Sequence, residues 1–525
     1  MIYLLPHLIE AAAEREPGAV AVSCRGETIT YADLVNRSRA LARLLRELGV
    51  SPGDRVGIYM NKGIDSAIAR YGAMFAGAAY VPLDPLSPTS RLAFVIRDCG
   101  IRVLISESRK ETRLSKLDAS GLDLRALVGF ESETLGYETH DWPRPEPGDP
   151  AIDPAVTTQD LCYILYTSGS TGVPKGIMHT HSSALAWAEV TTATYGMGPS
   201  DAISNYAPLH FDLSTLDFFG GARAGSKVVM IPEEHMKMPV SLASLIEQER
   251  LTQFYTVPLA LIQLGGEGVL EGRDLSSLRR VLFGGEPMPI KHLRRLMDLL
   301  PDTSFYNVYG PTETNGCTHY EVPADLSIED EALPIGRPYP NVETMIVDGQ
   351  DREVEPGQSG ELLVRAPTMM SGYWGRPDLN EGAFFYRRRH AGLPDVFERT
   401  GDLAHVDAEG LIHFHGRKDR QIKTRGYRVE LDEVEAVLVS QPGVAEGAVF
   451  AAGDADGSMP IMAAVILAED AGLGFDSIVA FMGERLPPDA LPTIIDIRDD
   501  FPRTTTGKID RRRLAESSVT NQDGG

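Results

Sequence analysis

Residues 161–176 read LCYILYTSGSTGVPKG. The first six are apolar enough to form a buried parallel strand. The remainder, YTSGSTGVPKG at 166–176, is small, polar and ends in a cation. Small residues such as Gly169 and Gly172 let a backbone approach a polyphosphate. The amides and the hydroxyls of Thr167, Ser168, Ser170 and Thr171 can donate hydrogen bonds to it, and Lys175 adds positive charge. The spacing is not the GxxxxGK[ST] of a Walker loop. A Gly/Ser run on its own is most often a flexible turn. Here the order of hydroxyls, glycines and lysine after an apolar strand points to phosphate.

Outward from this stretch, helix and strand patterns alternate. Residues 33–48 carry apolar side chains at helical spacing and stop at Gly49; 55–60 form a short strand, 64–75 a helix and 103–106 a buried strand. Such alternation specifies α/β architecture, a body of layered sheets and helices. Residues 142–154 hold five prolines and several acids and read as a surface connection. A second boundary falls in GRKDRQIKTRG at 416–426, which is almost free of apolar residues. After it comes a helix with Asp432 as candidate cap, Val434, Val437 and Leu438 as its buried stripe, and Gln441-Pro-Gly as its stop. The chain, 525 residues and too long for one ordinary core, therefore divides into a large N-terminal body, 1–418, and a small C-terminal α+β domain, 419–525.

Fifty Lys and Arg face 74 Asp and Glu, a net charge of −24, which disfavours sequence-independent binding to nucleic acid or to an anionic membrane. The longest apolar stretch, 71–83, is too short to span a bilayer. The N-terminus has no signal-peptide pattern. The four cysteines are scattered, form no CxxC pair, and fit a reducing, cytoplasmic setting.

The phosphate-loop candidate resembles the signature loop of the adenylate-forming superfamily, which comprises acyl-CoA synthetases, luciferases and the adenylation domains of nonribosomal peptide synthesis. The resemblance covers nearly the whole chain. ITYADL at 29–34, MFAGAAYVPLD at 74–84, NVYGPTE at 307–313, GEL at 360–362, TGDL at 400–403, GRKD at 416–419 and Gly507-Lys508 follow in that family's order. It implies an enzyme that joins a carboxylate to the α-phosphorus of ATP and expels pyrophosphate. Two anions must be aligned, so such catalysis rests on positioning and electrostatics, and no side-chain nucleophile is needed.

By the same resemblance Lys508 is the catalytic lysine, bridging the substrate carboxylate and the α-phosphate. Alone, a lysine in TTTGKID would more often be a solvated surface charge; its place at the end of the motif series reverses that reading. Thr312 contacts the α-phosphate and Glu313 is the Mg²⁺ ligand, a carboxylate suiting a hard cation. Tyr309 stacks on adenine, Asn307 and Gly284-Gly285-Glu286-Pro287 line the base edge beside Gly310, and Asp402 and Arg417 hold the ribose. Asp419 is the hinge about which the small mobile domain turns for the second half-reaction. Lys423 and Gly426 then help admit a pantetheine thiol.

FDLS at 211–214 resembles the amino-acid-binding motif of nonribosomal adenylation domains, where an aspartate, here Asp212, pairs with the substrate's α-ammonium. A helix N-cap is the plain alternative for Asp212. Carried over by position, the pocket is Leu213, Leu216, Tyr255, Leu282, Gly284, Val308, Gly316 and Cys317. Apart from Asp212 and Lys508 nothing in it is charged, so a neutral side chain is expected. Most of the set looks like the pocket of stand-alone proline-activating enzymes. Gly284 and Gly316 depart from that pattern, by enlarging the cavity or by allowing close backbone approach. Proline is favoured, with alanine, glycine or another small aliphatic residue open. The expected partners are an amino acid and a separate carrier protein with a phosphopantetheine arm. Arg387-Arg388-Arg389 read as a solvated loop, with contact to an acidic carrier as the sharper alternative. The rival functions are an acyl-CoA or aryl-CoA ligase using free CoA, and a non-catalytic nucleotide-binding regulator.

Overall fold

A computed structural model describes residues 1–118, 121–146, 153–169, 173–328, 332–389, 392–424, 426–451, 459–468, 471–503 and 509–520. The chain forms two compact units. The first comprises Met1–Pro85, Ile96–Tyr166 and Gly176–Lys418; the second comprises Leu86–Val95, Thr167–Lys175 and Asp419–Gly525.

Unit 1 is a stack of sheets and helices. Among the described residues its largest sheet runs in the order Arg337–Pro338, Thr318–Glu321, Ser304–Tyr309, Arg280–Gly284, Gln253–Thr256, Ala202–Asn205, Lys227–Met230, Val20–Cys24 and Glu27–Thr30. The strands from 202 to 309 are parallel neighbours, and 318–321 returns antiparallel on 304–309. A second sheet centres on the parallel strands Leu161–Thr167, Ala79–Pro82, Arg55–Tyr59 and Val103–Ser106. A third, antiparallel sheet holds Glu343–Val347, Gly360–Arg365, Asp395–Val406, Phe384–Arg387 and Ile412–Arg417. Buried parallel strands are apolar on both faces, which is why 103–106 and 161–166 were legible as near-continuous hydrophobic runs.

The helices Ile64–Phe75 and Tyr31–Glu47 supply side chains to one apolar core between the first two sheets, with Leu41, Leu45, Ile68, Tyr71 and Phe75 buried. Helix 31–47 begins two residues earlier than its spacing suggests. Thr30 Oγ1 accepts the Asp33 N–H at 3.1 Å and so caps the chain at 30.

Unit 2 has its own cores. The hairpin Gln421–Thr424/Tyr427–Glu430 leads into helix Leu431–Val439. Val434 and Leu438 of that helix pack with Val449, Ile461, Val465 and Ile478. Asp432 does not cap this helix. Glu430 occupies the N-cap position without a side-chain bond, and Asp432 lies in the first turn, paired with Arg420. No helix of the described residues is long and apolar enough to cross a membrane. The four cysteines are free and buried.

Arg388 and Arg389 are exposed and lie outside the strand, as expected of a solvated loop, but Arg387 is not a loop residue. Arg387 ends strand Phe384–Arg387, lies over the Phe397 ring at 4.5 Å, and bonds Glu343 at 2.5 Å; Arg389 pairs with Glu343 and, at 3.1 Å, with Asp395.

Two buried histidines give the body a pH dependence. His181 Nδ1 accepts the Leu5 N–H at 3.2 Å, and His179 Nε2 donates to the Thr312 carbonyl at 3.0 Å, which places the proton of His179 on Nε2. Burial pushes both down to about 4. The unfolded chain takes up these protons near pH 6.5, so it binds more protons than the folded chain between 6.5 and 4, and stability falls as pH is lowered through that window. Each contributes up to about 3 kcal/mol at 1.36 kcal/mol per unit. Urea unfolding at pH 7 and pH 5 tests this. The midpoint drops at pH 5 in the native chain and drops less in His181→Gln; an equal drop in both contradicts the assignment.

Candidate active site

Two loops of unit 1 carry most of the expected residues. The first follows strand Ser304–Tyr309. Its turn is tight, because a Cβ on Gly310 would overlap the Asn315 carbonyl, and Asn315 itself adopts φ 56°. The buried Asn315 amide steadies the turn by donating to the Thr368 carbonyl at 3.3 Å. His179 fixes the turn from another side by holding the Thr312 carbonyl, and it stacks on Tyr163 with ring centroids 5.0 Å apart.

Within this turn Glu313 is 2% exposed and its carboxylate accepts the Tyr373 hydroxyl at 2.8 Å. Among the described residues no cluster of His, Cys, Asp or Glu is arranged to hold a metal ion. A single carboxylate nonetheless suits Mg²⁺, which characteristically takes one or two protein oxygens and completes its shell with phosphates and water.

At the head of the same turn Tyr309 donates its hydroxyl to one oxygen of Asp402, and Arg417 Nη1 reaches the other at 2.6 Å. Asp402 and Arg417 are direct partners across the antiparallel strands Asp395–Val406 and Ile412–Arg417. Burial, and then the Asp402 charge, hold the Tyr309 phenol well above its usual range, so it is a donor at neutral pH. The expected ribose pair and the expected adenine residue thus meet at one buried carboxylate. Asn307 donates to the Pro334 carbonyl at 2.9 Å. Gly285 turns the chain with φ 95° after strand Arg280–Gly284, leaving Glu286 half-buried and Pro287 exposed.

The second loop follows strand Ala202–Asn205. Asp212 heads the short helix Leu213–Thr215 and its side chain makes no cap bond, which removes the capping alternative. Leu216, Tyr255, Leu282 and Val308 are buried in one apolar cluster, with Leu213 at its edge. Burial, and next the charge of Asp212, raise the Tyr255 phenol. Cys317 is not part of it; that side chain is buried among Ile335, Ile346, Leu362 and Val364.

The glycines answer the question the sequence left open. A Cβ on Gly284 would overlap the Val308 carbonyl, its neighbour across the sheet, so this glycine permits close backbone approach. A Cβ on Gly316 would enter the Trp187 indole, which fills the space the glycine leaves. Trp187 packs edge-on to Tyr339 at 5.7 Å, and the Tyr339 hydroxyl bonds that of Tyr195. Neither glycine enlarges the cavity. Trp187, Tyr339, His179 and Tyr373 had no sequence signal, because each reaches the site from a distant segment.

Unit 2 carries the remaining motif residues. Thr167 Oγ1 is enclosed without a partner among the described residues, a hydroxyl of the kind a phosphate oxygen would satisfy. Ser168 Oγ donates to the Arg428 carbonyl at 2.9 Å, and Gly169 is pressed against the Val173 carbonyl. Lys175 opens strand Lys175–Thr180. Asp419 Oδ1 accepts the Gln421 N–H at 3.2 Å, Lys423 faces Arg428 across the hairpin, and Gly426 turns it at φ 84°. Ser170, Thr171, Gly172 and Lys508 lie outside the described residues.

The chain belongs to the AMP-binding enzyme family, which it matches over residues 9–374; residues 433–508 match the AMP-binding enzyme C-terminal domain. It is an AMP-forming ligase. Among its relatives is an L-proline--[L-prolyl-carrier protein] ligase of Streptomyces coelicolor, 36% identical over 93% of this chain and 92% of that protein. A second protein of the same description, from Pseudomonas fluorescens, is 34% identical over 95% of this chain and 96% of its own length. The solved amide bond synthetase McbA from Marinactinospora thermotolerans superposes with a TM-score of 0.87 at 27% identity, covering 98% of this chain and 99% of that one.

The Gly316–Trp187 contact is testable. Gly316→Ala forces the indole aside, and overpacking of this kind costs about 1–3 kcal/mol. Urea denaturation should show that loss together with a raised KM for the acid substrate; unchanged values for both contradict the packing described.

Proposed function

We propose that this ligase activates a small neutral α-amino acid, proline before alanine or glycine, as its aminoacyl-AMP. It then transfers the acyl group to the phosphopantetheine thiol of a separate carrier protein. The observation that carries this reading is the apolar cluster of Leu216, Tyr255, Leu282 and Val308, with Asp212 at the head of the short helix whose Leu213 packs against it. Such a pocket suits a compact neutral side chain whose α-ammonium meets Asp212. The two prolyl-carrier ligases described above support the same choice, as does the close fit of Trp187 against Gly316, which keeps the pocket small.

ATP is the second substrate and Mg²⁺ the metal. Asp402 and Arg417 hold the ribose hydroxyls, Tyr309 stacks on adenine, and Thr312 with the 167–175 loop receives the phosphates. Glu313 would hold Mg²⁺, which when bound would neutralise phosphate charge. Lys508 brings the substrate carboxylate to the α-phosphorus. A carboxylate oxygen forms the new P–O bond as the bond to pyrophosphate breaks; the thiolate then attacks the acyl carbon and AMP leaves. Residues 1–418 act as the adenylation core and 419–525 as the small lid. Asp419 is its hinge, and Lys423 and Gly426 serve the thiol.

Pyrophosphate exchange with the common amino acids and with fatty and aryl acids tests the substrate class. Proline is expected to give the strongest exchange, with alanine and glycine weaker and acids lacking an α-ammonium inactive. Exchange driven only by fatty or aryl acids contradicts the role of Asp212 and favours a CoA ligase.

A further inference from the structure

The loop that carries Asp212 is held from beneath by buried polar side chains that no motif identified. Lys62, 3% exposed, donates from Nζ to the carbonyls of Asn205 and Ile231 at 3.2 Å each, and to that of Tyr206, fixing the start of the loop. Asn205 Nδ2 donates to Asp217 at 3.0 Å, tying the start to the end. Between these anchors stands Arg70, 1% exposed on helix Ile64–Phe75. Its Nη2 donates to the Leu209 carbonyl at 2.9 Å and to Ser214 Oγ at 3.0 Å. Ser214 Oγ in turn donates to the Phe211 carbonyl at 2.7 Å. One guanidinium therefore reaches the chain three residues before Asp212 and two residues after it, and Ser214 relays the contact to the residue preceding it.

Burying a guanidinium costs several kcal/mol. An apolar side chain could fill the same space beside Phe218, over whose ring the Arg70 guanidinium lies at 4.4 Å. Arg70 Nε and Nη1 have no partner among the described residues, so the charge is incompletely compensated by packing and hydrogen bonding. A group kept at such cost has a task, and what it grips is the backbone around Asp212. Nothing in these contacts touches the nucleotide residues.

We propose that Arg70 is a positioning residue for the amino-acid substrate, fixing the 209–214 segment so that the Asp212 carboxylate meets the incoming α-ammonium. This rests on the reading of Asp212 given above. The helix holding Arg70 is part of the core between sheets, so the segment is referenced to a buried helix and not to a neighbouring loop.

Pyrophosphate exchange with proline separates positioning from mere stability. In Arg70→Met and in the milder Ser214→Ala the KM for the amino acid should rise about tenfold, the value of one lost hydrogen bond of about 1.4 kcal/mol. The KM for ATP should stay within about twofold, and Arg70→Lys should recover part of the loss because its amine can still donate to Leu209. An equal rise in both KM values, or no rise in Ser214→Ala, overturns the proposal, and Ser214→Ala decides alone if Arg70→Met does not fold. Asp212→Asn serves as the reference. If it leaves the amino-acid KM unchanged the substrate reading itself fails, whereas a raised KM there with no effect at Arg70 and Ser214 sinks only this inference.

Discussion

Glu313 and Asp402 bury their carboxylates in unit 1, and a carboxylate taken from water must be answered by donors or a cation or it destabilises the fold by several kcal/mol. Each is answered from another segment: Glu313 by Tyr373, Asp402 by Tyr309 and Arg417. The Asp402 cluster ties the end of strand 304–309, in the largest sheet, to the antiparallel sheet that carries 395–417. A buried acid in this protein therefore works as a fastening between layers. On the role proposed for Asp212, the same rule would favour a substrate that brings its own positive charge.

The loops of the site are held mainly through their backbones. His179 grips Thr312, Asn315 grips Thr368, Arg70 grips Leu209, and Lys62 grips the 205–206 carbonyls. Irregular chain cannot satisfy its own amides and carbonyls, so side chains from neighbouring helices and strands do so. These bonds restrain the loops against the elements from which they spring. Positioning two anions for reaction requires that rigidity, because small misplacement of either reactant is costly to rate.

Much of this was legible in the sequence where the information is local. Helix 64–75 and strand 103–106 follow from periodicity and from the glycines around them, and Leu216, Tyr255, Leu282 and Val308, which share one apolar cluster, were grouped by the family resemblance alone. What was not legible depends on contacts between distant segments. Asp432 satisfies the pattern of a cap, yet Arg420 takes its carboxylate. Arg387 lies in a basic run, yet Glu343, Asp395 and the Phe397 ring claim it. Gly316 admits either an enlarged cavity or a close backbone approach until Trp187, 129 residues earlier in the chain, is seen to fill the space. Cys317 sits one residue from a pocket position but turns into a different core.

The claim on which the account turns is that a cation on the substrate is recognised beside an apolar wall. It is tested most directly by isothermal titration of a non-hydrolysable prolyl-adenylate analogue against the same molecule with its ring nitrogen replaced by a methylene. The account predicts that the carbon analogue binds about a hundredfold more weakly or worse, the loss expected when a desolvated charge pair is broken. Equal affinity for the two would contradict it.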